Sequence, residues 1–328
     1  MSLTRRGALA TSLGLVGGFA ASAAWAQTAG YPDHPVTLIV PFGPGGGTDI
    51  LARLLALQLS PALGQTVLVD NRAGASGTVG MAVLARAKPD GYTLAIAPNG
   101  TFAMAPPLFG RLPYDNDTAF APIGLLATNA MFACVHPAEP WRSFGDLMAT
   151  VKAQPGQISY ASAGVGATNH LGVELMLEIA GAEMLHVSYR SAAQAAQAVM
   201  AREARLSLVD AAVALPYLKS GELRALAVTS TGRNSKMPEV PTVAESGVPG
   251  YSASVDLGFF APTGTPQPIL DRLAEAARAI MLSDEMKGRL DSLAMDPVGG
   301  RPAEFAAYQV AETRKWSELI RRRGIRLE

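Results

Sequence analysis

Charge is scarce in this chain. Only 16% of its 328 residues are charged, and 27 basic residues balance 27 acidic ones. Aromatics make up 6% of the residues, and no basic patch alternates with them. That pattern argues against a nucleic-acid partner. One cysteine, Cys134, rules out an internal disulfide in any compartment. It sits in AlaMetPheAlaCysVal and reads as a buried structural thiol rather than a nucleophile. Past the N-terminus, no apolar run reaches the length of a membrane span. What is plentiful is hydrophobic residue, 49% of the chain, which describes a globular protein of about two domains.

The N-terminus reads as an export signal. Arg5 and Arg6 precede a stretch of small and apolar residues that ends in Ala24-Trp25-Ala26, an A-x-A cleavage pattern. Residues 1–26 are therefore expected to be removed after Ala26, in the periplasm. The paired arginines suit a twin-arginine route or an ordinary basic region, and both readings stay open. Removal leaves 25 basic against 27 acidic residues.

The rest alternates strand and helix patterns. ValThrLeuIleVal (36–40) is an apolar β-branched run ending at Pro41, and it reads as a buried strand. Thr48 or Asp49 is placed to cap the following helix, which should stop near Gly64. Strands are expected at 66–69 and 92–97, with a glycine-rich loop at 71–80 and a short helix at 81–87. The βαβαβ order predicts a parallel sheet flanked by helices. A second unit begins near residue 128, with strands at 157–162, 184–189 and 205–209. Its helix at 169–180 carries Leu171, Leu175 and Ile179 on one stripe. A strand at 223–229, a strand around GlyPhePheAla (258–261) and helices near Pro268–Leu282 and Pro302–Arg323 follow. The fold class is thus α/β, with two lobes, each a mainly parallel sheet, and two crossovers near 123–128 and 224–229. Lobe 1 comprises 27–127 and 226–328, and lobe 2 comprises 128–225.

Ligands bind beyond the carboxyl ends of parallel strands. There stands ProPheGlyProGlyGlyGlyThrAsp (41–49), with four glycines in nine residues. A Walker loop would end in Gly-Lys-Ser/Thr, whereas this one ends Gly47-Thr48-Asp49 without a lysine. Gly164-Val165-Gly166 starts a dinucleotide fingerprint but meets Asn169 where a glycine is needed. Both nucleotide readings are weak. A small carboxylate held by helix N-terminal amides fits better, with Gly45–Thr48 and Ala163–Thr168 each supplying one terminus. No GxSxG elbow is present. His170 and Glu174 are four apart on a helix but lack a third metal ligand. Asp210, at a strand end, reads as a ligand acceptor or a structural cap rather than a general base. No cofactor and no metal are expected.

The motifs resemble those of the Bug-type solute-binding proteins of tripartite tricarboxylate transporters. They are TyrProAspHisProValThrLeuIleValProPheGlyProGlyGlyGlyThrAsp (31–49), AspAsnArgAlaGlyAlaSerGlyThrValGly (70–80) and LysProAspGlyTyrThrLeu (88–94). SerTyrAlaSerAlaGlyValGlyAlaThrAsnHisLeu (159–171), GlyGluLeuArgAlaLeuAlaValThrSer (221–230) and ValProThrValAlaGluSerGlyValProGlyTyr (240–251) complete the set. The resemblance implies a periplasmic-binding-protein (Venus-flytrap) fold that takes a small organic acid between its lobes without covalent chemistry. It also implies docking on large and small membrane permease subunits. A flytrap that presents its closed form to a sensor kinase is the alternative, and a monomer is expected. Phe42, Gly46, Thr48, Asp49, Ser162, Gly166, Thr168, Asn169 and His170 lie at matching motif positions. Gly45, Gly47, Asn99, Thr101, Ala163, Ala167, Tyr189, Ser191 and Asp210 complete the expected ligand set. One segment departs from the pattern. HisValSerTyrArgSerAlaAlaGlnAlaAlaGln (186–197) has Ser188 and Ser191 where the family commonly has Pro and Gly, and AlaArgGluAlaArg (201–205) replaces a glycine-bearing turn.

Overall fold

Strand β1 (Val36–Val40) is the buried apolar run, closed off by Pro41. Helix α1 (Gly47–Leu63) follows and ends at Gly64, whose left-handed backbone turns its N–H onto Ser60 O. The expected side-chain cap is absent. Gly46 occupies the N-cap, and Thr48 and Asp49 lie inside the first turn. Next come β2 (Val67–Asn71), α2 (Thr78–Arg86) and β3 (Thr93–Pro98). Strand β1 lies between β2 and β3 and runs parallel to both. The computed structural model describes residues 30–189 and 191–327. The expected signal at 1–26 lies outside the described residues.

The crossover expected near 123–128 is not a linker. It is part of β4 (Phe120–Val135), a strand of 16 residues. The first part of β4 pairs antiparallel with β9 (Ser254–Pro262), and beyond Met131 it pairs antiparallel with β7 (Leu206–Asp210) and β8 (Arg224–Val228). Phe132 faces Val228 and Ala130 faces Ser254, while Ala253 N donates to Thr229 O at 3.0 Å. Strands β8 and β9 therefore continue one another along one edge of β4, with 229–253 looped out. The chain crosses between lobes as an antiparallel ribbon. Each lobe is accordingly mixed rather than mainly parallel: β3 runs antiparallel to β9, and β7 antiparallel to β4.

In the second lobe, β5 (Ser159–Ser162) lies between β6 (Leu185–Ser188) and β7, parallel to both. Helices α4 (Thr168–Ala180), α5 (Ala192–Met200) and α6 (Ala211–Ser220) connect them, after α3 (Phe144–Ala153). The stripe expected on α4 is rotated. Leu171, Val173, Met176 and Leu177 are buried, whereas Ile179 is 39% exposed. The rotation has a packing cause. A Cβ on Gly172 would stand 2.9 Å from Leu208 and 3.5 Å from Tyr251, so the helix lies close on its glycine side. In the departing segment, Arg202 takes a left-handed φ of 62° where a glycine would serve.

Helices α7 (Gln267–Met281), α8 (Asp284–Ser292) and α9 (Pro302–Arg323), with strand β10 (Met295–Pro297), complete the structure. Helix α8 was not expected, because AspGluMetLysGlyArgLeuAspSer carries little apolar periodicity. Its signal is the cap, where Ser283 Oγ accepts from Met286 N at 3.2 Å. The C-terminal end of α9 reaches the second lobe. Arg322 pairs with Glu178 at 2.8 Å, and Arg323 pairs with Glu174 and Glu183, each at 2.8 Å. Among the described residues, no helix is long and apolar enough to cross a membrane.

Trp316 anchors α9, fully buried with its indole N–H on Glu312 at 2.6 Å. Trp316→Ala should lower unfolding stability by about 3–5 kcal/mol, read as a drop in the urea midpoint.

Candidate functional site

The glycines of the first loop let the chain turn tightly enough for a side chain to hold it. Gly45, at φ 87°, donates its N–H to Asp49 Oδ2 at 2.9 Å. Asp49 also accepts from Arg53 Nε and Nη2, both at 3.0 Å, and from Asn71 Nδ2 at 2.9 Å. Asn71 Nδ2 reaches Phe42 O as well, at 3.0 Å. Burial alone would raise the Asp49 carboxyl. The hydrogen bonds from Arg53, Gly45 and Asn71 outweigh that and hold it below the usual carboxylate range. Asp49 thus staples the loop. The first helical hydrogen bond runs from Ile50 N to Gly46 O, so the amides of Gly47, Thr48 and Asp49 have no helical acceptor.

The second loop is built the same way from different side chains. Ala163 N donates to Asn169 Oδ1 at 3.2 Å, Gly164 N to Ser162 Oγ at 3.1 Å and Gly166 N to His170 Nδ1 at 3.2 Å. Ala167 N donates to Gly164 O at 3.2 Å. The loop amides are engaged, while those of Thr168, Asn169 and His170 precede the first helical bond, Leu171 N to Ala167 O. Ser162 Oγ also meets His186 Nε2 at 2.6 Å. That contact has the geometry of a nucleophile and its base. Yet Ser162 is fully buried and its hydroxyl already holds Gly164, so it serves the loop. Tyr160 stacks on His186 at 4.9 Å between ring centres, and His186 lies 4.2 Å from His170. Tyr160 OH donates to Glu174 at 2.6 Å, and Glu174 meets Arg323 of α9 at 2.8 Å. Burial, then His186 and Arg323, push His170 down to about 3, and burial also lowers His186. His170 is therefore neutral. Among the described residues, no His, Cys, Asp and Glu group is arranged for a metal.

The two lobes touch at glycines. A Cβ on Gly100 would lie 2.8 Å from Thr168 Oγ1, and one on Gly166 would lie 2.2 Å from Leu108 Cδ1. The floor between the lobes is the ribbon. Asn129 of β4, 2% exposed, faces Gly47, with its Nδ2 4.0 Å from where a Cβ on Gly47 would be. Its Oδ1 has no partner, and neither has Asn169 Nδ2. Sequence reasoning missed Asn129, whose only signal is a polar residue in a long apolar strand. Asp210 is half-buried at the end of β7, opposite Met131, and does not cap α6 with its side chain. Burial raises its carboxyl to about 6.

The other expected residues are drawn elsewhere. Asn99 Nδ2 donates to Ser254 O and Asp256 Oδ2, both at 2.9 Å, and Thr101 Oγ1 donates to Ser76 O at 2.9 Å. Tyr189 OH turns to Glu203 at 3.4 Å. Ser191 Oγ, expected to read a polar ligand, accepts from Gln194 N at 3.2 Å as the N-cap of α5. A cavity of about 430 Å³ lies on the opposite face of the ribbon, lined by Thr128, Ala130, Ser254, Asp256 and Lys315.

The family pattern for the tripartite tricarboxylate transporter family receptor matches residues 51–325. The chain belongs to this receptor family. The receptor is similar to BugT of Bordetella pertussis, 31% identical over 299 residues that cover 91% of this chain and 92% of BugT. An R. palustris protein solved with adipate superposes with a TM-score of 0.83 at 33% identity, covering 90% of this chain and 99% of that one. MatC of Rhodopseudomonas palustris, solved with bound malate, gives 0.79 at 29% identity, covering 88% of this chain and 100% of that one. The fold is therefore the α/β fold of periplasmic binding proteins, and the family is one of solute-binding receptors, not enzymes.

Two outcomes follow from this geometry. Gly100→Leu should weaken ligand binding at least about tenfold, measured by calorimetry, while the unliganded melting temperature changes little. His170 titrates near 6.5 when unfolded and near 3 when folded, so the unfolded chain binds more protons between those values. Stability should fall as pH drops from about 6.5 toward 3, and His170→Asn should flatten that slope in urea unfolding at stepped pH.

Proposed function

We propose that this receptor is exported, captures a small organic acid between its two lobes and delivers it to the membrane permease subunits of a tripartite tricarboxylate transporter. The lobes are 27–127 with 226–328, and 128–225. One observation carries the reading. Two helices, α1 and α4, present unbonded first-turn amides beside the cleft, one from each lobe. An anion there meets two partial positive charges, each worth about 0.3–2 kcal/mol. Neither helix carries a lysine or arginine in that first turn, so a compact carboxylate suits the site better than a polyphosphate. The two R. palustris neighbours, solved with adipate and with malate, support the same class.

In this reading Gly46, Gly47, Thr48, Thr168, Asn169 and His170 offer backbone amides to the carboxylate. Asp49, Ser162 and the imidazole of His170 hold the loops in shape. Closure brings Gly100 against Thr168, and the ligand selects that closed population. Adipate and malate, each tested at a hundredfold excess over its dissociation constant, should stabilise the fold by about 2.7 kcal/mol. Melting scans and small-angle scattering check this. If neither acid, nor any in a panel of mono-, di- and tricarboxylates, shifts the melting temperature or compacts the protein, the proposal fails.

A further inference from the structure

Resting on the carboxylate reading, we propose that the cleft selects acids carrying a hydrogen-bond donor, a hydroxyl or an ammonium, next to the bound carboxylate, and that Asn129 and Asp210 read it. Asn129 is 2% exposed, and its amide group stands beside Gly47 at the N-terminus of α1, with Nδ2 the nearer atom. Its Oδ1 has no partner within the described residues. A buried acceptor without a donor is unfavourable, so something must supply one when the lobes close.

Asp210 adds a second acceptor beside the first. It stands opposite Met131, two residues along β4 from Asn129. Alternate residues of a strand share a face, and residues directly opposite share it too. Asn129 and Asp210 therefore share one face of the ribbon on either side of buried Met131, and Asn129 stands beside the end of α1 that offers amides. No side-chain hydrogen bond to Asp210 exists among the described residues, and its carboxylate does not cap α6. Thr128 and Ala130 alternate with Asn129 and line the cavity behind the ribbon, which places the acceptor pair on the cleft side.

The chemistry then sorts ligands. An ionised alkane dicarboxylate brings only acceptors, and its second carboxylate would face Asp210 with like charge. A hydroxyl or an ammonium group brings the missing donor. The helix amides hold the anion, and the ribbon acceptors hold the donor. The acids found in the two R. palustris neighbours differ in this respect, since malate carries a hydroxyl and adipate does not.

The test uses three acids on one four-carbon skeleton: succinate, malate and aspartate, titrated by calorimetry into the mature receptor. Malate or aspartate should bind at least about tenfold more tightly than succinate. Asn129→Leu and Asp210→Asn, each checked for an unchanged unliganded melting temperature, should shrink that preference while succinate binding persists. Should one variant fail to fold, the other gives the same readout. Succinate binding as tightly as malate and aspartate, or a preference untouched in both variants, overturns the inference and leaves the carboxylate reading standing. If the three acids and adipate all fail to bind, the carboxylate reading falls, and this inference falls with it.

Discussion

The site depends on which backbone amides are already satisfied. Helix α1 and helix α4 each begin with N–H groups that no helical carbonyl can reach. Such groups bind an anion only if the loops before them keep their shape without using those groups. In both loops a side chain from the helix itself folds back to take a loop amide. Asp49 takes Gly45, Asn169 takes Ala163 and His170 takes Gly166. The polar residues of the motifs are thus mainly loop fasteners, and the first-turn amides of both helices are left without an acceptor. The same division explains why a carboxylate can sit in an anion loop. Asp49 is held by Arg53 of α1 and Asn71 of β2, so its charge is compensated beside the loop.

The ribbon of β4 with β8 and β9 gives those two helix ends a common frame. Strand β4 contributes to both sheets without a break, so neither lobe has a free edge where they meet. Glycine appears where one lobe approaches the other, at Gly100 and Gly166, because a side chain there would occupy the space that Thr168 and Leu108 need. At both points the backbone of one lobe packs directly on a side chain of the other. A second tie runs outside the cleft. From Ser162 it passes through His186, Tyr160 and Glu174 to Arg323 at the end of α9. The 162–170 loop of lobe 2 is thereby fixed in part by a helix packed on the ribbon.

Much of this was legible in the sequence where the signal is local. Pro41, the glycines of 43–47 and the aliphatic run before them mark a strand, a turn and a helix start within a dozen residues. Gly64 marks the helix stop for the same reason. The motifs at 159–171 placed the second helix start within a residue. What stayed hidden was tertiary. Nothing local distinguishes Asp49 as a cap from Asp49 as a staple, since its partners Arg53 and Asn71 lie on other turns and strands. The crossover expected near 123–128 is one continuous strand, and Pro122 and Gly124 mark irregular register within it. Nothing local shows that the Ser191 hydroxyl accepts from Gln194 N as the cap of α5. Asn129 is hard to single out because it and Thr128 are the polar residues of an otherwise apolar strand that promises only a core.

Asn129 Oδ1 and Asn169 Nδ2 bear directly on how such a receptor reports occupancy. Both are buried and unpartnered in the arrangement that brings Gly100 against Thr168. A buried polar atom left unpaired costs about 1–3 kcal/mol. In the proposed reading, an open arrangement would return both atoms to water and so favour the empty receptor staying open. A ligand that pairs the two atoms removes the penalty only in the closed form. On that reading a ligand that pairs both atoms would favour the closed form by about a few kcal/mol, enough to shift a two-state population by about one to three orders of magnitude. In the proposed reading the helix ends supply affinity for the carboxylate, and the two asparagines tie closure to the ligand.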